Sequence, residues 1–129
     1  MNNTILSCYV VDDSSIQRLA IVKMIESHPS LKLIGEFSNA IETKAAIKDH
    51  KVDLIFLDIE MPGLDGYELT FEVRSEPSLA HAYIILHTSL SSAISVSQAQ
   101  QVGANEALTK FDAKELVTSM LRGAKALTS

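Results

Sequence analysis

Leu54-Ile55-Phe56-Leu57-Asp58 is a short, wholly apolar run that ends abruptly in an acid, and Ile59-Glu60-Met61-Pro62-Gly63-Leu64-Asp65-Gly66 follows it. An apolar run of this length without alternation is the pattern of a strand covered on both faces. The Pro- and Gly-bearing stretch after it reads as a loop. From Gly66 to about Ser75 the apolar spacing becomes helical. The unit is strand, loop, helix, with an aspartate at the end of the strand.

On either side the same rhythm recurs. Ile5 to Val11 is an apolar run broken only by Ser7, and a helical stretch from Ser15 to about His28 follows, with Ile16, Leu19, Ala20 and Met24 at helical spacing before Pro29 closes it. Leu31 to Phe37 alternates, with Leu31, Leu33 and Phe37 expected on one side and Lys32 and Glu36 on the other. A helix is expected from about Ala40 to Asp49. Tyr83 to His87 is a fourth strand, followed by a helix from about Ser92 to Val102 that Gly103 caps. A weak strand at Glu106–Thr109 precedes a last helix from Ala113 to about Ala126, with Leu116, Val117, Met120, Leu121 and Ala124 on one stripe. Ser14 with Gln17, Asn39 with Glu42, Asp65 with Glu68 and Asp112 with Glu115 each pair a capping residue with Glu or Gln three later, which marks four helix starts.

Five strand–helix units in series predict an α/β fold, a doubly wound five-stranded parallel sheet with helices on both faces. The fully apolar first, third and fourth runs belong at its centre and the second and fifth at its edges, which is the order 2-1-3-4-5. Right-handed crossovers place every strand C-terminus on one edge, where ligands bind in this architecture.

The residues at those strand ends are Asp12 and Asp13, Asp58, Thr88 and Ser89, and Thr109 and Lys110. An aspartate after a strand is commonly a cap or turn residue, and Asp65, Asp112 and Asn39 fit that role. Five independent caps would rarely converge on one sheet edge, so Asp12, Asp13, Asp58, Thr88 and Lys110 read as a functional set. Three carboxylates placed together repel one another, and a hard divalent cation such as Mg²⁺, which takes oxygen ligands, resolves the repulsion. Lys110 adds compensating charge and Thr88 a hydrogen-bond donor. Such a set suits phosphoryl transfer, with a carboxylate as nucleophile.

The 129 residues fit one domain, and 47% hydrophobic content allows a sizeable core. A net charge of −5 with scattered Lys and Arg argues against nucleic acid as a partner. No run approaches the ~20 apolar residues of a membrane span. The N-terminus lacks a signal-peptide pattern, and the lone Cys8 excludes an internal disulfide and suits a reducing compartment. The expectation is one cytoplasmic domain over residues 1–129. Cys8 reads as a small buried hydrophobe. His28, His50, His81 and His87 lack metal-ligand spacing, and His87 is expected to point away from the crevice as a packed core histidine.

Val10–Ser15 (VVDDSS), Leu54–Gly66 (LIFLDIEMPGLDG), Ile84–Ser89 (IILHTS) and Gly103–Lys110 (GANEALTK) together resemble the receiver domain of two-component response regulators, the CheY-like family with its flavodoxin-like sheet, over essentially the whole chain. The resemblance implies that a sensor histidine kinase phosphorylates Asp58. It implies Mg²⁺ on Asp13, Asp58 and the backbone carbonyl of Glu60, with Asp12 helping through water. Thr88 becomes the switch hydroxyl and Lys110 the phosphate-contacting cation, while Met61, Pro62, Gly63 and Gly66 shape the adjoining loop. The output implied is protein contact, to a downstream partner or a second copy, through the face of the fourth helix, fifth strand and fifth helix. A phosphate sink or relay, or a piece of a larger regulator, is the other output this reading allows. Glu60–Leu79, Tyr83–Leu90 and Thr109–Leu116 further resemble the receiver half of CheV-type chemotaxis coupling proteins, whose preceding CheW-like domain has no counterpart here.

Two positions depart from the family pattern. Phe111 stands where proline usually follows the lysine, and Ala107 stands where an aromatic usually answers the threonine. The threonine–aromatic switch cannot operate with Ala107, so the loop Leu90–Ala93 is expected to carry the signal. Glu60 is expected to hinder an in-line water and lengthen the phosphoryl lifetime. A Mg²⁺-dependent phosphatase using an aspartyl phosphate is the rival from another class. It would need an acid two residues beyond its nucleophile on the first strand, and Asp12 and Asp13 are followed by Ser14. An inactive scaffold of receiver shape is disfavoured by the complete acidic set.

Overall fold

The computed structural model describes residues 5–48, 51–60, 66–87, 96–108 and 113–128. The elements run β1 (Leu6–Val11), α1 (Ser15–Glu26), β2 (Leu31–Phe37), α2 (Ala40–Ile47), β3 (Leu54–Asp58), α3 (Gly66–Ser75), β4 (Tyr83–His87), α4 (Val96–Val102), β5 (Glu106–Leu108) and α5 (Ala113–Thr128), with a 3₁₀ turn at Pro77–Leu79 before β4. The strands form one parallel sheet in the order β2-β1-β3-β4-β5. The expected topology is therefore met, and β3 is buried along its whole length.

Alternation along the strands sorts the core into two layers. Tyr9, Val11, Ile55, Leu57, Ile84 and Leu86 pack with α2, α3 and α4 residues on one face. Cys8, Val10, Leu54, Phe56 and Ile85 pack on the other with Ile21, Val22 and Ile25 of α1 and Leu116 and Met120 of α5.

Three pattern readings are corrected. In α1 the buried residues are Ile21, Val22 and Ile25, whereas Ile16 and Leu19 are 81% and 52% exposed. In α5 Leu116, Met120 and Ala124 do face the core, but Leu121 is exposed, and Val117's side chain lies outside the described residues. Gly123 takes the inward position, where an added Cβ would come within 2.7 Å of Leu54 and Tyr83. In β2 the register against β1 slips between Cys8 and Tyr9, so that Cys8 pairs with Leu33 and Tyr9 with Gly35. The slip flips the following residues: Leu31 and Leu33 join the α1/α5 layer while Phe37 joins the other. Phe37 meets Tyr9 edge-on at a centroid distance of 5.0 Å.

The helix ends follow local chemistry. Ser14 Oγ accepts from Gln17 N–H at 3.3 Å and Asn39 Oδ1 from Glu42 N–H at 2.9 Å, as the capping pattern requires. The Asp65 and Asp112 caps lie outside the described residues. Helix α1 stops two residues before the expected His28, where Ser27 Oγ donates to Met24 O at 2.6 Å and His28 precedes Pro29. Gly103, at φ 94°, ends α4. Its N–H donates to Gln100 O and that of Ala104 to Ala99 O, the paired bonds of a Schellman cap.

Candidate functional site

Strands β1 and β3 end side by side, with Val11 paired to Leu57, and β3 runs beside β4, with Asp58 paired to His87. The pleat then decides which side chains meet. Asp12 follows Val10 by two residues, Asp58 follows Phe56, and His87 follows Ile85, so all three lie over the α1/α5 layer. Asp12, Asp13 and Asp58 each offer a carboxylate oxygen, and these lie within 4.8 Å of one another. Asp12 is fully buried, Asp58 is 5% exposed and Asp13 is exposed, so the cluster opens to solvent on one side.

Local hydrogen bonds aim the carboxylates. Asp12 Oδ1 accepts from Ser14 N–H at 2.8 Å, and Asp58 Oδ1 accepts from Glu60 N–H at 3.1 Å. The Asp12 carbonyl accepts from Arg18 Nη1 at 2.7 Å, while Arg18 Nε pairs with Glu36 at 2.9 Å. Behind Asp58, α3 approaches so closely that a Cβ on Gly66 would collide with the Asp58 carbonyl oxygen and stand 2.7 Å from Ile59 Cα. The Gly66 N–H donates to Ile59 O at 2.8 Å. Glycine is what this approach admits, and it fixes the backbone just beyond the acid.

Burial and mutual repulsion set the charge state. Burial, then the neighbouring Asp12 charge, pushes the Asp58 carboxyl up to about 8. Burial likewise raises Asp12, against the pull of the Ser14 N–H. Asp12 Oδ2 is buried and lacks a hydrogen-bond partner among the described residues. An all-oxygen donor set holding a buried oxygen unpaired among the described residues fits a hard divalent cation.

His87 corrects one expectation. It is fully buried, as foreseen, but instead of turning away it faces the acidic cluster, with Nε2 3.9 Å from Asp12 Oδ2. Burial pushes its ring down to about 4. Thr88 and Lys110, with Met61, Pro62, Gly63 and Phe111, lie outside the described residues, as does the loop Leu90–Ala93. Ala107 is partly buried and pairs with Leu86 across β4 and β5. Cys8 is fully buried, and burial pushes its thiol up to about 12. The three-residue spacing that marks caps carried no signal for Arg74. Its guanidinium donates to Gly103 O at 2.8 Å, Ala80 O at 3.1 Å and Asn105 Oδ1 at 2.6 Å, tying α3 to the turn before β5.

An α/β domain of this strand order, carrying a buried aspartate flanked by two more at its C-terminal edge, defines the class of protein. Residues 8–121 match the response regulator receiver domain family, and the chain belongs to it. It is 37% identical over 101 residues to a protein-glutamate methylesterase/protein-glutamine glutaminase of Geobacter sulfurreducens, a match covering 78% of this chain and 26% of that protein. The chain thus spans about a quarter of the length of such relatives. The response regulator domain of Thermotoga maritima CheB superposes with a TM-score of 0.78 at 27% identity, covering 97% of this chain and 98% of that one. The chemotaxis response regulator CheY4 of Vibrio cholerae shares the fold, with a TM-score of 0.79 at 21% identity over 93% of this chain and 99% of that one. Among the described residues no helix is long and apolar enough to cross a membrane.

Proposed function

We propose that residues 1–129 work as one receiver unit that takes a phosphoryl group on Asp58 from the phosphohistidine of a sensor kinase and signals through protein contact. The observation that carries this reading is the buried Asp58, held at Oδ1 by the Glu60 N–H, with two further carboxylates within 4.8 Å. An Asp58 oxygen attacks phosphorus, the P–N bond of the donor breaks, and its electron pair returns to the imidazole of the kinase. Asp12, Asp13, Asp58 and the Glu60 carbonyl are the residues to hold Mg²⁺. When bound, that ion supplies positive charge against the negative charge gathering on the phosphoryl oxygens. Asp58 and Asp12 keep their carboxylates oriented through the Glu60 and Ser14 N–H groups, and Thr88 and Lys110 complete the set as phosphoryl contacts. The chain catalyses only its own phosphorylation and dephosphorylation. Its output goes through the α4-β5-α5 face to a downstream protein or a second copy, and a place in chemotaxis follows from the sequence resemblance.

Incubation with Mg²⁺ and acetyl phosphate tests the reading by intact mass. The expected result is a gain of one phosphoryl group, lost in Asp58→Asn and in EDTA. A wild-type protein that gains no mass and binds no beryllofluoride would sink it.

A further inference from the structure

His87 occupies a slot in β4 that an aliphatic residue would fill without polar cost, after Ile84, Ile85 and Leu86, all fully buried. Both of its ring nitrogens and Asp12 Oδ2 are buried and lack hydrogen-bond partners by distance and angle among the described residues, the Asp58 carboxyl being the other group that interacts with the Asp12 side chain. These orphaned groups face each other, Nε2 to Oδ2, at 3.9 Å. Buried polar groups are paired in native proteins, and an approach of about 1 Å turns this gap into an ordinary hydrogen bond. The other oxygen of Asp12 is already taken by the Ser14 N–H at 2.8 Å.

We propose that His87 is a positioning residue of the acidic site: its Nε2–H donates to Asp12 Oδ2 and, with Ser14, fixes that carboxylate in the orientation that receives a cation. The proposal rests on the receiver reading. A buried, neutral ring has one N–H to give, so the bond to Asp12 selects the tautomer with Nε2 protonated and Nδ1 bare. Partners of this kind orient a metal's carboxylate ligands from behind. His87 also pairs across the sheet with Asp58, and its carbonyl accepts from Ile59 N–H at 3.0 Å, so the ring is anchored to the strand end that carries the acceptor.

The test uses ¹⁵N-labelled, metal-free, unphosphorylated protein. Long-range proton–nitrogen spectra should find His87 protonated at Nε2, with a resonance that moves in Asp12→Asn and on titration with Mg²⁺ alone. Amide shifts during the same titration give the Mg²⁺ affinity of variants. His87→Leu should bind about tenfold more weakly, whereas His87→Gln, whose Nε2 reaches the same point, should stay within about twofold of wild type. A bare Nε2, a resonance indifferent to Asp12→Asn, or a Leu variant with wild-type affinity would overturn the proposal. A Gln variant as weak as the Leu variant would assign the effect to ring shape and overturn it too. If the Leu variant does not fold, the wild-type spectrum decides. A wild type that shows the Nε2 signature but gains no phosphoryl group from acetyl phosphate defeats the receiver reading and not the positioning bond.

Discussion

The Asp58 carboxylate is held at Oδ1 by the Glu60 N–H, and the Glu60 side chain is itself only partly exposed. The sequence expectation is that this acid, two residues past Asp58, hinders an attacking water. Glu60→Ala is expected to speed loss of the phosphoryl group by up to about tenfold, equal to about 1.4 kcal/mol of barrier, as read by decay of the phosphorylated mass. An unchanged rate would remove Glu60 from the control of lifetime. Cys8 offers a second test at this scale. Burial moves its thiol from 9.0 to about 12, so between those values the folded state keeps a proton that the unfolded chain releases. Its contribution to stability is intact below about pH 9 and falls as pH rises through that window. At pH 8 the thiol should react with a disulfide reagent only as fast as the protein opens, and rapid labelling of the native protein would contradict its burial.

At the scale of elements, one turn, between α4 and β5, holds the sheet's edge in register. The Schellman cap on α4 requires Gly103 at φ 94°, and a Cβ there would stand 2.9 Å from Arg74 Cγ. Gly103→Ala is expected to cost about 1–2 kcal/mol for the left-handed backbone alone. Thermal melting should show that as a fall of several degrees in Tm. Arg74 supports the same turn from α3 through Gly103 O and Asn105 Oδ1, while Asn105 Oδ1 also accepts from Ile84 N–H at 2.8 Å. Arg74→Ala leaves the part-buried Gly103 carbonyl short of a donor, while Asn105 Oδ1 keeps the Ile84 N–H, and is expected to cost about 1 kcal/mol in chemical denaturation. A change within about 0.5 kcal/mol would make Arg74 an ordinary surface residue.

For the whole molecule, the acidic edge trades stability for chemistry. Asp58 holds its proton in the folded state up to about pH 8, far above the ordinary 3.8, so its contribution to stability declines as pH climbs through that interval. His87 acts in the opposite sense between about 4 and 6.5, where the unfolded chain is protonated and the buried ring is not. The two slopes oppose each other between about pH 4 and 6.5. Above it no histidine opposes the carboxyls, and Asp12, also raised by burial, acts in the same direction as Asp58, so the metal-free protein should lose stability between pH 6.5 and 8, by about 2 kcal/mol from Asp58. Mg²⁺ needs ionised carboxylates, and its stabilising effect on Tm should be larger at pH 8 than at pH 6.5. An equal effect at both would mean that Asp12 and Asp58 are not the groups that bind it.

Much of this was legible in the chain because it depends on local rules. The short apolar run Leu54–Leu57, bounded by an acid and a Pro- and Gly-bearing loop, reads as a strand covered on both faces, and the caps at Ser14, Asn39 and Gly103 act within a few residues of themselves. The strand order followed from which runs were wholly apolar, and the meeting of Asp12, Asp13 and Asp58 followed from that order. Tertiary packing alone decided the rest. The slip between Cys8 and Tyr9 sends Phe37 to the face opposite Leu33, and no spacing along one strand reveals a bulge set by its neighbour. Ile16 and Leu19 are as apolar as Ile21 and Ile25, and only the docking of α1 on the sheet chose which pair to bury. His87 was visible as a residue, but its meeting with Asp12 depends on two strands that reach each other through β3, because the pleat and register that aim a side chain belong to the sheet.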